Sequence, residues 1–376
     1  VFTTFVTGGI VFIRITIERD EQRKVFRFSA LTRSAVVPVR EVAVDLRNAD
    51  EAAEALRNAR TRDEQVKFGR LLYTYLMPED FQDHIDSDFP VRLVVDPTSA
   101  SYPWEMACYF GRGDATRLRW LGPDLGLSRQ FKTLLSSAPG LSPPLNDRLR
   151  VLVIADPAPE QELQLPGARI EGRKVVELMR RANGQAAGDT KLEIDVVQRI
   201  GPGECDPVEI LALLLSGDFD IVHFSGHGDY RPDDPGRSGW IFGADRVLTA
   251  RDIFRSRKVP RLVFANACFS GALREGEPYA PADLARSLAS IAEAFLERGV
   301  PNYVGAGWPV DDAQAVTMAQ IFYERLFAHD NIGDAVKAAR RTVFDAQVES
   351  TWGAYQLYGN PRDTVLRRRG YGGRRR

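Results

Sequence analysis

The sequence predicts an α/β fold: a doubly wound, mostly parallel sheet flanked by helices, with a smaller β-rich and mixed lobe at the N-terminus. Three observations predict it. From Arg150 onward, apolar runs of strand length alternate with helical runs, the pattern of right-handed crossovers and a parallel sheet covered on both faces. Before that, the chain to about Leu46 is rich in strand signals. Between the two, "LLSSAPGLSPPLNDRLR" gathers three prolines and several serines, the best linker composition in the chain.

Taken in order, Val11, Ile13, Ile15 and Ile17 alternate with Arg14, Thr16 and Glu18, a period of two that predicts a strand and not a signal peptide. Strands follow in "KVFRFSAL" and "AVVPVREVAVDL". A long helical stretch, "DEAAEALRNARTRDEQVKFGRLLYTYL", sets Phe68, Leu71, Leu72 and Tyr75 at three- and four-residue spacing. "VRLVVD" predicts a short strand before "YPWEMACYF". Past the linker come "RVLVIAD" (strand), "GARIEGRKVVELMRRANG" (helix closed by Gly184), "LEIDVV" (strand), "PVEILALLLSG" (helix), "DIVHFSG" (strand) and "RLVFANA" (strand). A helix with Leu284, Leu288, Ile291 and Phe295 on one face, the strand "NYVGAG", and helices from about Asp312 and Ile332 complete the pattern. The expected divisions are an N-terminal lobe over 1–134, a linker over 135–149, a main domain over 150–365 and a basic, solvated tail over 366–376.

Fifty basic and fifty-one acidic side chains leave a formal net charge of -1, so no global field favours nucleic acid or an anionic membrane. The tail "RRRGYGGRRR" is the one dense basic run and is weak evidence for a nucleic-acid site. Cys108, Cys205 and Cys268 show no metal-site spacing, and their odd number argues against a disulfide framework. A reducing, cytoplasmic compartment is expected. The chain begins with valine, which leaves room for further domains outside it.

In an open α/β sheet, functional residues gather beyond the carboxyl ends of the strands. Two strand ends stand out. "IVHFSGHG" places His227 one short turn past its strand, and "LVFANACFSG" places Cys268 just past the next. If the two strands are neighbours, imidazole and thiol face each other across one crevice, as thiol catalysis requires: the base keeps sulfur as thiolate and returns the proton to the leaving amine. The amides of Gly228 and Cys268 would then form an oxyanion hole. His223 lies inside its strand and reads as a core or supporting group. No metal is expected, because His223 and His227, four apart, straddle a strand end and need not converge. "GAGWP" and "GPGE" lack the lysine and hydroxyl of a phosphate loop, and no cofactor is expected.

These residues resemble a known clan. The apolar block ending in "HG" and the one ending in "AC" resemble the caspase-like cysteine peptidases, which include caspases, separases and legumains. More specifically, "FGRLLYTYLMP", "YPWEMACYF", "IVHFSGHGDY", "LVFANACFSG", "VGAGWPVDDAQAVTMAQIFYERL" and "WGAYQLYGNP", in that order from about Phe68 to Pro361, are similar to the CHAT domain. The resemblance implies a caspase-like fold and thiol endopeptidase activity on protein substrates, with His227 and Cys268 as the dyad. It also implies, from the habits of bacterial members, an effector in defence or programmed cell death, switched on by a partner or sensor outside this chain. By the same resemblance, Asp312 and, less so, Asp311 in "WPVDD" occupy the place of an acidic pocket residue that favours Arg or Lys before the cut. Either one can instead cap the following helix. Glu105 and Asp229 are each candidates to orient His227, and Glu105 has the alternative of a structural pair with an arginine. The loops "DYRPDDPGRSGW" and "GALREGEPYAPAD" after the two catalytic positions suggest a groove completed only on activation. The competing function is a catalytically silent caspase-like scaffold that binds partners. A nucleotide-binding domain is a third reading, weakened by the missing glycine-rich loop after "RVLVIAD".

Overall fold

The structure is a computed structural model that describes residues 12–31, 36–85, 89–111, 116–132, 148–187, 190–216, 218–229, 237–253, 259–268, 281–346 and 349–366. Most of the expected linker, the tail beyond Leu366 and most of the two loops that follow the dyad positions lie outside the described residues.

Among the described residues a 13-stranded sheet runs through the molecule. Its strands are β1 (Ile13–Asp20), β2 (Val25–Leu31), β3 (Val36–Ala43), β4 (Val91–Val95), β5 (Ser128–Phe131), β6 (Arg148–Ala155), β7 (Glu193–Ile200), β8 (Ile221–Asp229), β9 (Gly239–Gly243), β10 (Arg246–Thr249), β11 (Leu262–Cys268), β12 (Asn302–Ala306) and β13 (Tyr355–Gly359). The spatial order is β7-β6-β8-β11-β12-β13-β5-β4-β1-β2-β3, with β9 and β10 hanging from the end of β8. β7, β6, β8, β11 and β12 are parallel throughout; β13 is antiparallel to β12, and β13, β5, β4 and β1 are again parallel to one another. The N-terminal strands thus continue the sheet of the main domain.

The principal helices are α1 (Leu46–Arg57), α2 (Arg62–Leu76), α3 (Glu79–Ile85), α4 (Pro166–Ala182), α5 (Pro207–Ser216), α6 (Pro281–Glu297), α7 (Asp312–Phe327) and α8 (Ile332–Asp345). The single helical stretch expected before "VRLVVD" is two helices. A capping box starts the second: the Thr61 hydroxyl accepts from the Glu64 amide at 3.2 Å, and the Glu64 carboxylate accepts from the Thr61 amide at 3.1 Å. α4 begins with Pro166, whose fixed φ suits the first helical position, and closes before Gly184 at φ +80°. One continuous apolar core joins both halves, with Phe264, Tyr303, Leu357, Leu93 and Ile15 among its fully buried residues.

One local expectation is corrected. The strand carrying "IVHFSGHG" does not end before His227 but runs on to Asp229, because Gly228 and Asp229 pair with Trp240 and Gly239 of β9. Trp240 stacks on Phe224 with ring centroids 4.3 Å apart, covering one side of β8 with apolar surface. His227 therefore stands on a strand, where its neighbours fix it, rather than in a turn.

Candidate active site

The parallel register of β8 and β11 pairs Phe224 with Ala265, Ser225 with Asn266, Gly226 with Ala267 and His227 with Cys268. The two residues that the sequence singles out are thus direct neighbours, on adjacent strands, at their carboxyl ends. Gly226, between Ser225 and His227, allows a close approach, since a Cβ there would stand 3.2 Å from Pro157 and 2.8 Å from the Phe224 ring. Cys268 is the last residue of β11.

His227 is buried, and three influences act on its imidazole. Removal from water pushes its pKa below the ordinary value, while a hydrogen bond to the Leu163 backbone and the charge of Asp156 pull it the other way. A backbone partner that favours the charged ring is a carbonyl accepting an imidazole N–H. That bond fixes which ring nitrogen carries the proton and leaves the other as the basic one.

Asp156, which sequence reasoning passed over, directly follows β6 at φ +49°, a left-handed conformation that a non-glycine residue adopts at a cost. Its carboxylate is buried, accepts from the Leu165 amide at 2.7 Å and Arg169 Nε at 2.8 Å, and so anchors the start of α4 beside His227. The signal was present: a carboxylate closing an apolar strand just before a proline.

The remaining sites are spread along the rim or lie elsewhere. Gly228 and Asp229 follow His227 on β8, with Asp229 buried. Asp311 is the N-cap of α7: its carboxylate accepts from the Gln314 amide at 2.9 Å, the helix-capping alternative for this residue. Asp312 is exposed in the first turn and reaches toward the start of α4, where a Cβ on Gly167 would fall 2.2 Å from Asp312 Oδ2. Glu105 is not placed to orient His227. It lies on the β5 side of the sheet, where both its oxygens bind Arg129 and one lies 3.5 Å from Arg340 Nη2; β11, β12 and β13 stand between β5 and β8. The physical reason is charge: two buried guanidinium groups need a counter-ion, and Glu105 supplies it.

His223 is part of the interior. Its Nδ1 lies 3.2 Å from the Tyr323 hydroxyl, its ring stacks on Phe264 at 5.2 Å, and its Nε2 lies 3.3 Å from Glu171. Cys108 and Cys205 are buried, and burial pushes both thiols up to about 12. Among the described residues, no cluster of three or more metal-ligating side chains occurs, and no helix is long and apolar enough to cross a membrane.

Comparison with known proteins gives the family. The model of the CHAT domain matches residues 66–360, most of the chain. Among solved structures, the Saccharomyces cerevisiae separase in complex with securin superposes with a TM-score of 0.50 at 13% identity, over 93% of this chain and 30% of separase. The Porphyromonas gingivalis proteinase RgpB gives 0.42 at 14% identity, covering 86% of this chain and 77% of that one, and caspase-1 of Spodoptera frugiperda 0.35 at 10%, covering 62% and 93%. No curated protein matches the sequence. The separase likeness shows the fold, that of the caspase-like peptidases, although this chain spans less than a third of separase. With that fold and a family match across most of its length, the chain belongs to the CHAT domain family.

Proposed function

We propose that this chain is a cysteine endopeptidase that cleaves a partner protein, with Cys268 as nucleophile and His227 as general base and then general acid. The observation that carries the reading is the register that sets His227 against Cys268 at the ends of adjacent parallel strands in a CHAT domain. The thiol proton passes to the basic imidazole nitrogen, and the thiolate attacks the scissile carbonyl. The amides of Gly228 and Cys268 hold the resulting oxyanion. Imidazolium then protonates the leaving amine, and water deacylates the thioester with the same base. Asp312, exposed at the start of α7, serves the pocket for the residue before the cut and favours Arg or Lys, while Asp229 follows His227 closely enough in sequence to steady it. An activating partner outside this chain, a setting in bacterial defence or cell death, and a cytoplasmic location belong to the same proposal.

Iodoacetamide alkylation near neutral pH, followed by peptide mass spectrometry, tests it. Cys268 should react while Cys108 and Cys205, buried and protonated, stay unmodified, and His227→Ala should slow the reaction at Cys268. Equal reactivity of Cys268 with and without His227 would contradict the dyad.

A further inference from the structure

Directly behind the dyad, a buried carboxylate ties three elements together. Glu171 of α4 is 1% exposed, and its Oε2 accepts from Ser225 Oγ on β8 at 2.8 Å and from Asn266 Nδ2 on β11 at 2.7 Å. Its Oε1 lies 3.3 Å from His223 Nε2, and His223 in turn meets Tyr323 of α7. Ser225 and Asn266 are register partners, and the pair two positions further along is His227 and Cys268. The clamp therefore sits about 7 Å behind the dyad, two residues at ~3.3 Å each. α4 can come down far enough to make it because residue 172 is glycine: a Cβ there would stand 2.5 Å from the Ala155 Cβ of β6.

The surroundings are otherwise apolar. On the same face as the clamp, Phe264, the register partner of His223, Ala155 of β6 and Val175, one turn further along α4, are buried. An apolar side chain at 171 would hold helix to sheet without the cost of desolvating a carboxylate. What the carboxylate adds is direction, since one oxygen shared by two donors fixes the lateral and longitudinal offset of the strands that carry them.

We infer that Glu171 is a positioning residue: by clamping Ser225 to Asn266 it sets the offset of β8 and β11 that brings His227 and Cys268 into reach of one another. The inference rests on the dyad reading. It acts through hydrogen-bond geometry rather than charge, so an amide oxygen in the same place should serve.

The test is the rate and pH profile of Cys268 alkylation by iodoacetamide in the full chain, measured on variants that unfold cooperatively. Glu171→Leu should slow alkylation near neutral pH by about tenfold and move the midpoint of the profile upward by about one pH unit. Glu171→Gln, which keeps an acceptor for both donors, should stay near wild type. Should Glu171→Leu fail to fold, the double variant Ser225→Ala/Asn266→Ala removes the donors instead and should give the same shift. A folded Leu or double variant with the wild-type profile overturns the inference, as does a Gln variant as slow as the Leu variant. His227→Ala separates the two levels: if it shifts the profile and the clamp variants do not, the clamp alone is wrong; if it leaves the profile unchanged, the dyad reading falls and the inference with it.

Discussion

His227 shows how burial shifts an imidazole. Desolvation outweighs both the Leu163 carbonyl and the Asp156 charge, so the imidazole releases its proton at a lower pH than a free one. The neutral, proton-accepting form then persists below the ordinary imidazole value of ~6.5. The acidic limb of Cys268 alkylation is therefore expected below ~6.5, and a limb above that value would contradict the account. The sign for stability follows from the same shift. A histidine depressed in the folded state binds fewer protons there than in the unfolded chain, so it leaves the fold unperturbed above ~6.5 and weakens it as pH falls from there through the folded value. His227→Gln should flatten that part of the dependence of thermal unfolding on pH. His227 and Cys268 were legible as a candidate pair, since each closes an apolar run. That His227 lies within a strand was not, because Gly226 and Gly228 read as a turn until β9 is there to pair with Gly228.

At the scale of elements, α4 does more than cover the sheet. Its Pro166 start, the Asp156 anchor on Leu165 and Arg169, the close approach at Gly172 and the Glu171 clamp hold it against β6, β8 and β11. Gly172→Ala makes the test. In an ordinary helix interior the change stabilises by about 0.5–1 kcal/mol. Here the new methyl meets Ala155 Cβ, which cannot turn aside, and overpacking costs about 1–3 kcal/mol. Chemical denaturation should show a net loss of about 1–2 kcal/mol, and a gain would contradict the tight contact. The strand and helix alternation that builds this half was legible because each period repeats over enough residues. The break at Thr61 was signalled too, by Thr followed three residues later by Glu, but helix-forming residues on both sides obscured it. The Glu171 clamp was hidden for another reason: its three residues come from segments up to 95 apart in sequence and meet only where α4 packs on the sheet.

Across the whole molecule, the sheet passes from the half that carries His227 and Cys268 into the N-terminal strands through β13 and β5, and buried charge seals that join. Arg129 of β5 binds Glu105 and the carbonyls of Ala100 and Tyr102, and Arg340 of α8 donates to Leu127 and Tyr355. Removing the shared counter-ion leaves two guanidinium groups buried together, so Glu105→Gln should destabilise the fold by about 3–5 kcal/mol. Alkylation of Cys268 in the molecules that remain folded should not change, and a loss there would return Glu105 to the active site. A partnership between Glu105 and an arginine was foreseeable from residue type, but the choice of Arg129 depends on strand order, which local pattern does not contain. Proteolysis by a Cys268–His227 dyad, as proposed, would leave new protein N-termini at its cut sites. Its most direct test is mass spectrometry of new protein N-termini in cells that produce the wild-type chain, Cys268→Ala or His227→Ala. Cleavages in the wild type should be absent from both variants; a cleavage that persists in either one overturns the dyad.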